Sequence, residues 1–395
     1  MSHGVQDLLV LLVFLAGSFL TPVLAKRIRM PAAVLLIGFG VLLGPAALAL
    51  KHNARIIEFL FEVGFIVLMF LAGLEIDFGA IRRKGGRALL LVVVICAGIF
   101  ALSFLCSWAM GLHPIFGLAL GATSVGLPLA ILKETGQLRS GLGQQILLLG
   151  SVGEFLSVIG MTLFYFISKY GVSVQLLIGL AKLGGLLLVA GLTLRAFMAM
   201  AWWQPERFNT LVDAHEESEI GVRASLFMMM AFSLLCLVAG LEAIVGAFVA
   251  GALLAFVLRG KEILEQKLAV VGHGLFVPIF FIEVGLRFDL SAITVASLLF
   301  AGQLVLAAFT VRLLPCLLLL RQGSTVREML GTVSLLSAPL TLVVAIAALG
   351  MEVGAVTPEG KSTLIVLAVA SGTIFPILFR ALAPAPAAEA PPSPR

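Results

Sequence analysis

Charge is the scarcest ingredient of this sequence: Asp, Glu, Lys and Arg make up 12% of its 395 residues, while 61% are hydrophobic and the mean hydropathy is +1.15. A chain so poor in charge cannot coat a water-soluble globule, which excludes a soluble fold and leaves a membrane-embedded one. The 26 Lys and Arg outnumber the 21 Asp and Glu, but in a membrane protein the placement of charge carries the information, and the excess does not imply nucleic acid. Cysteine is scarce too. Cys96, Cys106, Cys236 and Cys316 all fall in apolar runs, without C-x-x-C spacing or a neighbouring His, which excludes a disulfide framework and a metal centre and leaves packing roles. Of the few histidines, His113 and His273 are read as interfacial residues at helix ends. No metal-ligand cluster and no nucleotide-binding loop is found, so no cofactor and no catalytic residue is assigned, and the chain is not read as an enzyme.

What the sequence has in plenty is long apolar runs. A helix needs about 20 residues to cross a hydrocarbon layer roughly 30 Å thick, because every backbone group must be satisfied within it. Thirteen runs meet that length, near 7–25, 31–50, 56–76, 87–110, 113–132, 142–167, 172–200, 222–239, 241–258, 269–287, 290–316, 329–349 and 361–380. The first has no basic start and others follow at once, so it is taken as a membrane helix and not as a cleaved leader. The predicted fold is therefore an all-α polytopic membrane protein of about 13 transmembrane helices. The loops at 26–29, 82–87, 133–139, 207–223, 259–267 and 321–327, together with Arg380, hold 17 basic residues, whereas the alternate loops hold five. The positive-inside rule then puts the N-terminus outside and the C-terminus in the cytoplasm. Residues 1–383 form one membrane domain. A connector at 201–221, with Trp202 and Trp203 as an interfacial anchor, divides it into halves. The Ala/Pro-rich tail 384–395 is expected to be disordered.

Membrane transporters often bind ions near the midplane, where interrupted helices expose backbone groups. Two spans carry hydroxyls beside a proline. The fifth has Thr123, Ser124, Gly126 and Pro128, and the twelfth has Ser337 and Pro339. Each proline removes a donor and frees the carbonyl four residues earlier, that of Ser124 or Leu335; ordinary proline kinks are the alternative. A carboxylate inside hydrocarbon is costly and marks a functional candidate. Glu154 stands near the centre of the sixth span, in GSVGEFLSVIG, with Ser151 and Ser157 three residues to either side on the same face. Glycines 150 and 153 permit close approach of another helix or of an ion. The alternative for Glu154 is a structural ion pair with Lys182 or Arg312, the two basic residues deepest in the membrane. Glu283, after Pro278, reads either as a second proton carrier or as a vestibule residue paired with Arg287.

Several stretches resemble the monovalent cation:proton antiporter superfamily, in the branch of bacterial sodium/proton exchangers and glutathione-gated potassium efflux transporters. They are FLAGLEIDF at 70–78, LALGATSVGLPLAILKETGQLRSGLGQQILLLGSVGEFLSVI at 118–159, GLEAIVGAFVAGALL at 240–254 and GLFVPIFFIEVGLRFDL at 274–290. Their order and spacing carry the likeness over nearly the whole membrane domain. The resemblance implies inverted repeats with two broken, crossing helices, a dimerisation sub-domain and an ion-translocating core, and a homodimer in the inner (plasma) membrane. It also implies an ion-carrying pair in the helix after the first broken one. That pair falls on Gly153 and Glu154, so the carboxylate is kept with one more methylene while the neighbouring amide or acid is absent.

The function expected is secondary exchange of a monovalent cation, Na+ or K+, for protons by alternating access. Glu154 would bind either ion, with neutral oxygens from Thr123, Ser124 and Ser151, and Arg312 and Lys182 would compensate buried acids. Two other readings compete: proton-coupled transport of an anionic solute held by half-helix dipoles, and a transport-inactive ion sensor or gated channel on the same fold.

Overall fold

The computed structural model describes residues 3–28, 30–47, 54–76, 85–138, 140–171, 173–203, 219–239, 241–257, 262–286 and 295–382. The tail 384–395, Arg287 and most of the connector 201–221 lie outside the described residues. Among those residues all regular structure is helical. The first part comprises α1 (His3–Ile28), α2 (Ala32–Ala47), α3 (Ala54–Leu74), α4 (Gly85–Ala109), the pair α5 (Pro114–Gly121) and α6 (Gly126–Glu134), and α7 (Gly141–Tyr170). After α8 (Val174–Trp203) come α9 (Ile220–Val238), α10 (Ala243–Val257), α11 (Glu262–Val271), α12 (Val277–Leu286), α13 (Val295–Cys316), the pair α14 (Val326–Leu336) and α15 (Leu340–Glu352), and α16 (Pro358–Leu382). A π-turn at Gly272–Phe276 joins α11 to α12, and a short 3-10 turn, Leu317–Gln322, ends α13.

With the three joined pairs counted as one crossing each, these elements fall one to one on the thirteen apolar runs. Among the described residues, eight of the crossings are long and apolar enough to span a bilayer by length and composition. Hydrocarbon sets the length of each helix, and local chemistry sets its ends. Ser140 caps α7 by accepting from the Gly143 amide at 3.0 Å, and α14 starts with a full capping box between Thr325 and Glu328. One boundary differs from the sequence reading. The tenth crossing begins at Glu262, several residues before its apolar run, because a helix can continue into the polar layer, where Lys267 pairs with Glu219 at 2.6 Å. His273 lies within the π-turn, in the middle of that crossing and not at a helix end, and its side chain is exposed.

Packing separates the helices into two sets. In one, α3 lies against α10, α2 against α12, and α9 against α10. In the other, α5 packs on α4 and α13, α7 on α14, and α16 on α13, α14 and α15. The first set is joined through glycines that admit backbone against backbone. A side chain at Gly73 of α3 would run into the Phe248 carbonyl of α10, and one at Gly251 of α10 into the Phe70 carbonyl of α3. The α2–α12 pair repeats the device, with Gly40 facing the Ile282 carbonyl and Gly285 that of Ile37. Such small-residue seams supply close van der Waals contact where lipid offers no hydrophobic drive.

The second set contains both interrupted crossings, and these are the most enclosed. Of their most apolar stretches, 78% (α5–α6) and 89% (α14–α15) is buried, against 28% for α4, whose large apolar side chains Leu90, Val94 and Leu105 face outward. Interrupted backbone is tolerated at membrane depth only inside protein, and that is where these two crossings sit.

Candidate functional site

Between α5 and α6 the chain leaves the helix at residues 122–124 and re-enters with Val125 as the N-cap of α6. Gly126 is the first residue of α6. Pro128 sits in its first turn, where a missing N–H costs nothing, so the gap precedes the proline. The second gap, between α14 and α15, is at the proline itself. Ser337 caps the end of α14 and Pro339 the start of α15. The Leu335 carbonyl is not freed there, because it accepts from the Ala338 amide at 3.3 Å. The expectation that Pro339 frees this acceptor is thus corrected: the chain turns tightly enough to satisfy it locally.

Glu154 comes from the middle of α7 to the first gap and is fully buried. Its Oε1 accepts from the Ser124 hydroxyl at 3.1 Å and its Oε2 from the Val125 amide at 3.1 Å. The carboxylate therefore faces the start of α6, where unpaired amides leave a partial positive charge. Ser124 Oγ is also 3.2 Å from Thr341 Oγ1, in the first turn of α15. Since Ser124 donates to Glu154, the Thr341 hydroxyl donates to Ser124. The starts of both half-helices, α6 and α15, thereby converge on one carboxylate.

The rest of the gap is braced from α7 and α13. The Thr123 amide donates to Ser157 Oγ at 3.0 Å, and Ser157 in turn donates to the Gly153 carbonyl at 2.6 Å. The Thr123 hydroxyl donates to the Gly121 carbonyl at 3.3 Å. Arg312, fully buried on α13, donates to the Ala122 carbonyl at the end of α5 and to its own Ala308 carbonyl at 2.6 Å. A guanidinium thus stands at the negative end of one half-helix and a carboxylate at the positive end of the next.

The structure brings Glu154, Ser124, Thr123 and Gly126 together and leaves other candidates apart. Ser151 is buried, but among the described residues its hydroxyl has no hydrogen-bond partner, whereas Ser157 at the other end of the same face braces the gap. Neither basic residue pairs with Glu154: Lys182 is exposed on α8, and Arg312 serves backbone carbonyls. The ion-pair alternative for Glu154 is corrected accordingly. Glu283 is buried on α12, in the other packing set. His113 is the N-cap of α5, its Nδ1 accepting from the Ile115 amide at 3.4 Å.

Position 153 has no room for a side chain. A Cβ there would stand 2.8 Å from Thr123 Cβ and 3.0 Å from its Cγ2, so α7 and the non-helical gap between α5 and α6 touch through this glycine. Two residues at the site were missed by sequence reasoning. Thr341 was signalled only by being a hydroxyl two places after Pro339. Glu75, in FLAGLEIDF, falls at the end of the third apolar run, 56–76. In the fold its carboxylate lies against the start of α6, with Oε2 3.0 Å and Oε1 3.5 Å from where a side chain at Gly126 would begin. It is within electrostatic reach of both Glu154 and Lys133.

The comparisons with known proteins agree with this architecture. Residues 10–383 match the family model described as sodium/hydrogen exchanger, transmembrane. A Bacillus subtilis (strain 168) protein, YjbQ, named provisionally as a Na+/H+ antiporter, is 30% identical over 397 residues, covering 94% of this chain. The chain spans 62% of the length of that relative. A Na+/H+ antiporter of Enterococcus hirae is 28% identical over 304 residues, 74% of this chain and 75% of that protein. Among solved structures, a sodium proton antiporter of Methanocaldococcus jannaschii, MjNhaP1, at pH 8 superposes with a TM-score of 0.67 at 15% identity, over 96% of this chain and 97% of that one, which establishes the shared fold. This multi-pass membrane chain belongs to the transmembrane sodium/hydrogen exchanger family, a family of cation:proton antiporters.

Proposed function

We propose that this chain exchanges a monovalent cation, Na+ or K+, for protons, with Glu154 holding the proton and the cation in alternation. One observation carries the reading: Glu154 is fully buried, and among the described residues its carboxylate is held by neutral donors, a hydroxyl and an amide, with no Lys or Arg on it. An uncompensated carboxylate in a low-dielectric interior must be neutralised, and the only means left are a proton or a mobile cation. Competition of the two for one group is exchange. Ser124 and Thr341 supply further neutral oxygens beside it, and Thr123 shapes the gap.

Alternating access follows from the two packing sets. The one containing α4–α7 and α13–α16 is the ion-carrying core, moving against a dimerisation set of α1–α3 and α9–α12. The excess of basic residues in alternate loops supports an N-terminus outside and a C-terminus in the cytoplasm. The bridge between Arg380 and Glu134, 2.7 Å, ties the ends of α16 and α6 on one and the same face. A homodimer in the plasma (inner) membrane completes the reading, on the strength of the family resemblance.

The test is proton flux in proteoliposomes with an entrapped pH dye and an imposed pH gradient, comparing Na+, K+, Li+ and choline for wild type and Glu154→Gln. Collapse of the gradient by an alkali cation, lost in a folded Glu154→Gln protein, is the expected result. Indifference to every alkali cation, or a fully active mutant, would overturn the assignment and leave the anion-transport and sensor readings.

A further inference from the structure

Glu75 gives the site a feature that Glu154 alone does not explain. The two carboxylates reach the start of α6 from different helices. Val125 donates its amide to Glu154, and the next residue, Gly126, leaves by its missing side chain the space against which Glu75 lies. They come from different packing sets, Glu154 on α7 and Glu75 just past the end of α3. Glu154 is fully buried in the middle of its helix, whereas Glu75 is a half-buried residue at the end of its own. On α7 itself, the neighbouring position 153 is a glycine pressed on Thr123, so no second acid can come from there.

From this arrangement we infer that Glu75 is a second proton-carrying group of the exchange site, so that one turnover moves two protons against one monovalent cation. The inference rests on the exchange reading above. Two carboxylates close together in low dielectric do not both stay ionised without a cation between or beside them. The guanidinium of Arg312 is turned to the Ala122 carbonyl, and Lys133, exposed in the last turn of α6, reaches Glu75 only through its field, so neither cation sits on Glu154. When the cation is present, both acids are anionic and the local charge is minus one. When it leaves, the pair takes up two protons and becomes neutral. The balance per cycle is one cation in one direction and two protons in the other, with one net charge moved.

The experiment finds the gradients at which flux stops, in proteoliposomes with the membrane potential held at zero, using Na+ against H+. Exchange of two protons per Na+ predicts that a tenfold proton gradient is balanced by about a hundredfold Na+ gradient; one proton per Na+ predicts about tenfold. Wild type is expected to balance at the hundredfold value and Glu75→Gln at the tenfold value while still exchanging. A wild-type balance at tenfold, or a Glu75→Gln balance unchanged at hundredfold, overturns the inference and leaves exchange through Glu154 intact. Exchange that survives Glu154→Gln would instead overturn the reading beneath it. If Glu75→Gln is folded but transports nothing, proton release on adding Na+ to the detergent-solubilised protein decides. A smaller release per bound Na+ than in wild type supports a proton carrier, and an equal release overturns it.

Discussion

The two interrupted crossings hold matching places in the chain, seven spans apart, yet they are closed by different chemistry. At the second, the chain satisfies itself: the Ser337 amide donates to the Val333 and Ser334 carbonyls at 3.0 and 3.1 Å, its hydroxyl to Val333 at 2.7 Å, and the Leu340 amide to Ala338 at 2.9 Å. At the first, other helices do the work. Ser157 and Glu154 take the amides of Thr123 and Val125, and Arg312 holds the Ala122 carbonyl. A gap closed from within is a joint, rigid whatever its neighbours carry. A gap closed by side chains of other helices, two of them ionisable, is a place where protonation and backbone geometry are linked. The likeness of the two breaks in sequence therefore conceals a division of labour.

That contrast predicts the largest damage at the first gap. Arg312→Met keeps much of the side-chain volume but leaves the fully buried Ala122 carbonyl without this donor, a loss of about 1–3 kcal/mol for such a group. Both a lower melting temperature in detergent and loss of cation-dependent proton flux are expected. A variant that melts and transports like wild type would mean that the charges at the first gap are incidental. Gly153→Asn comes next. Its Cβ meets Thr123 Cβ at 2.8 Å. Overpacking of this kind costs about 1–3 kcal/mol, and if borne by the transport-competent state the upper part of that range is more than a tenfold fall in flux. Gly153→Ala, carrying the same Cβ without the amide, separates sterics from chemistry: equal loss in both variants is expected, and an Asn variant that transports better than the Ala variant would contradict the steric account.

How much of this was legible beforehand depends on what fixes each feature. The spans were, because hydrocarbon demands a length that apolar runs record one by one. Glu154 was, because a carboxylate at mid-span has few explanations. The gap itself was seen only approximately. Pro128 marks it from inside the following helix, since a proline is as comfortable in a first turn as at a break. Ser151 and Ser157 are equivalent by helical periodicity, and only the place where α5 gives way to α6 decides that Ser157 braces the backbone. Glu75 was hidden for another reason. An acid at the end of an apolar run ordinarily marks the membrane surface, and nothing local to α3 reveals that its end is packed on the start of α6. Contacts between sequence-distant helices are the part that one chain, read without a fold, does not record.

Smaller effects should appear where the two gaps meet. Thr341→Val removes the hydroxyl that donates to Ser124 and keeps the shape. Loss of one neutral hydrogen bond of about 1 kcal/mol corresponds to roughly a fivefold higher cation concentration for half-maximal flux, with the maximal rate little altered. An unchanged concentration dependence would separate α15 from the site and weaken the convergence of the two half-helices on Glu154.

The smallest expected change is at the joint. Ser337→Ala deletes the bond from its hydroxyl to the Val333 carbonyl and the long one, 3.4 Å, to Ala308. The amide of residue 337 still reaches Val333 and Ser334, so the carbonyls are not orphaned and the cost is at the lower end of about 0.5–1.5 kcal/mol. Flux is expected to stay within about twofold of wild type, because a bond of that size, lost equally from both transport states, leaves the barrier between them unchanged. The Ala308 carbonyl makes this a sharp test, since it also accepts from Arg312 at 2.6 Å and so touches both gaps. If Ser337→Ala slowed exchange as much as Gly153→Asn, Ala308 would be coupling the two breaks, and the second would have to be counted as part of the moving site and no longer as its fixed joint.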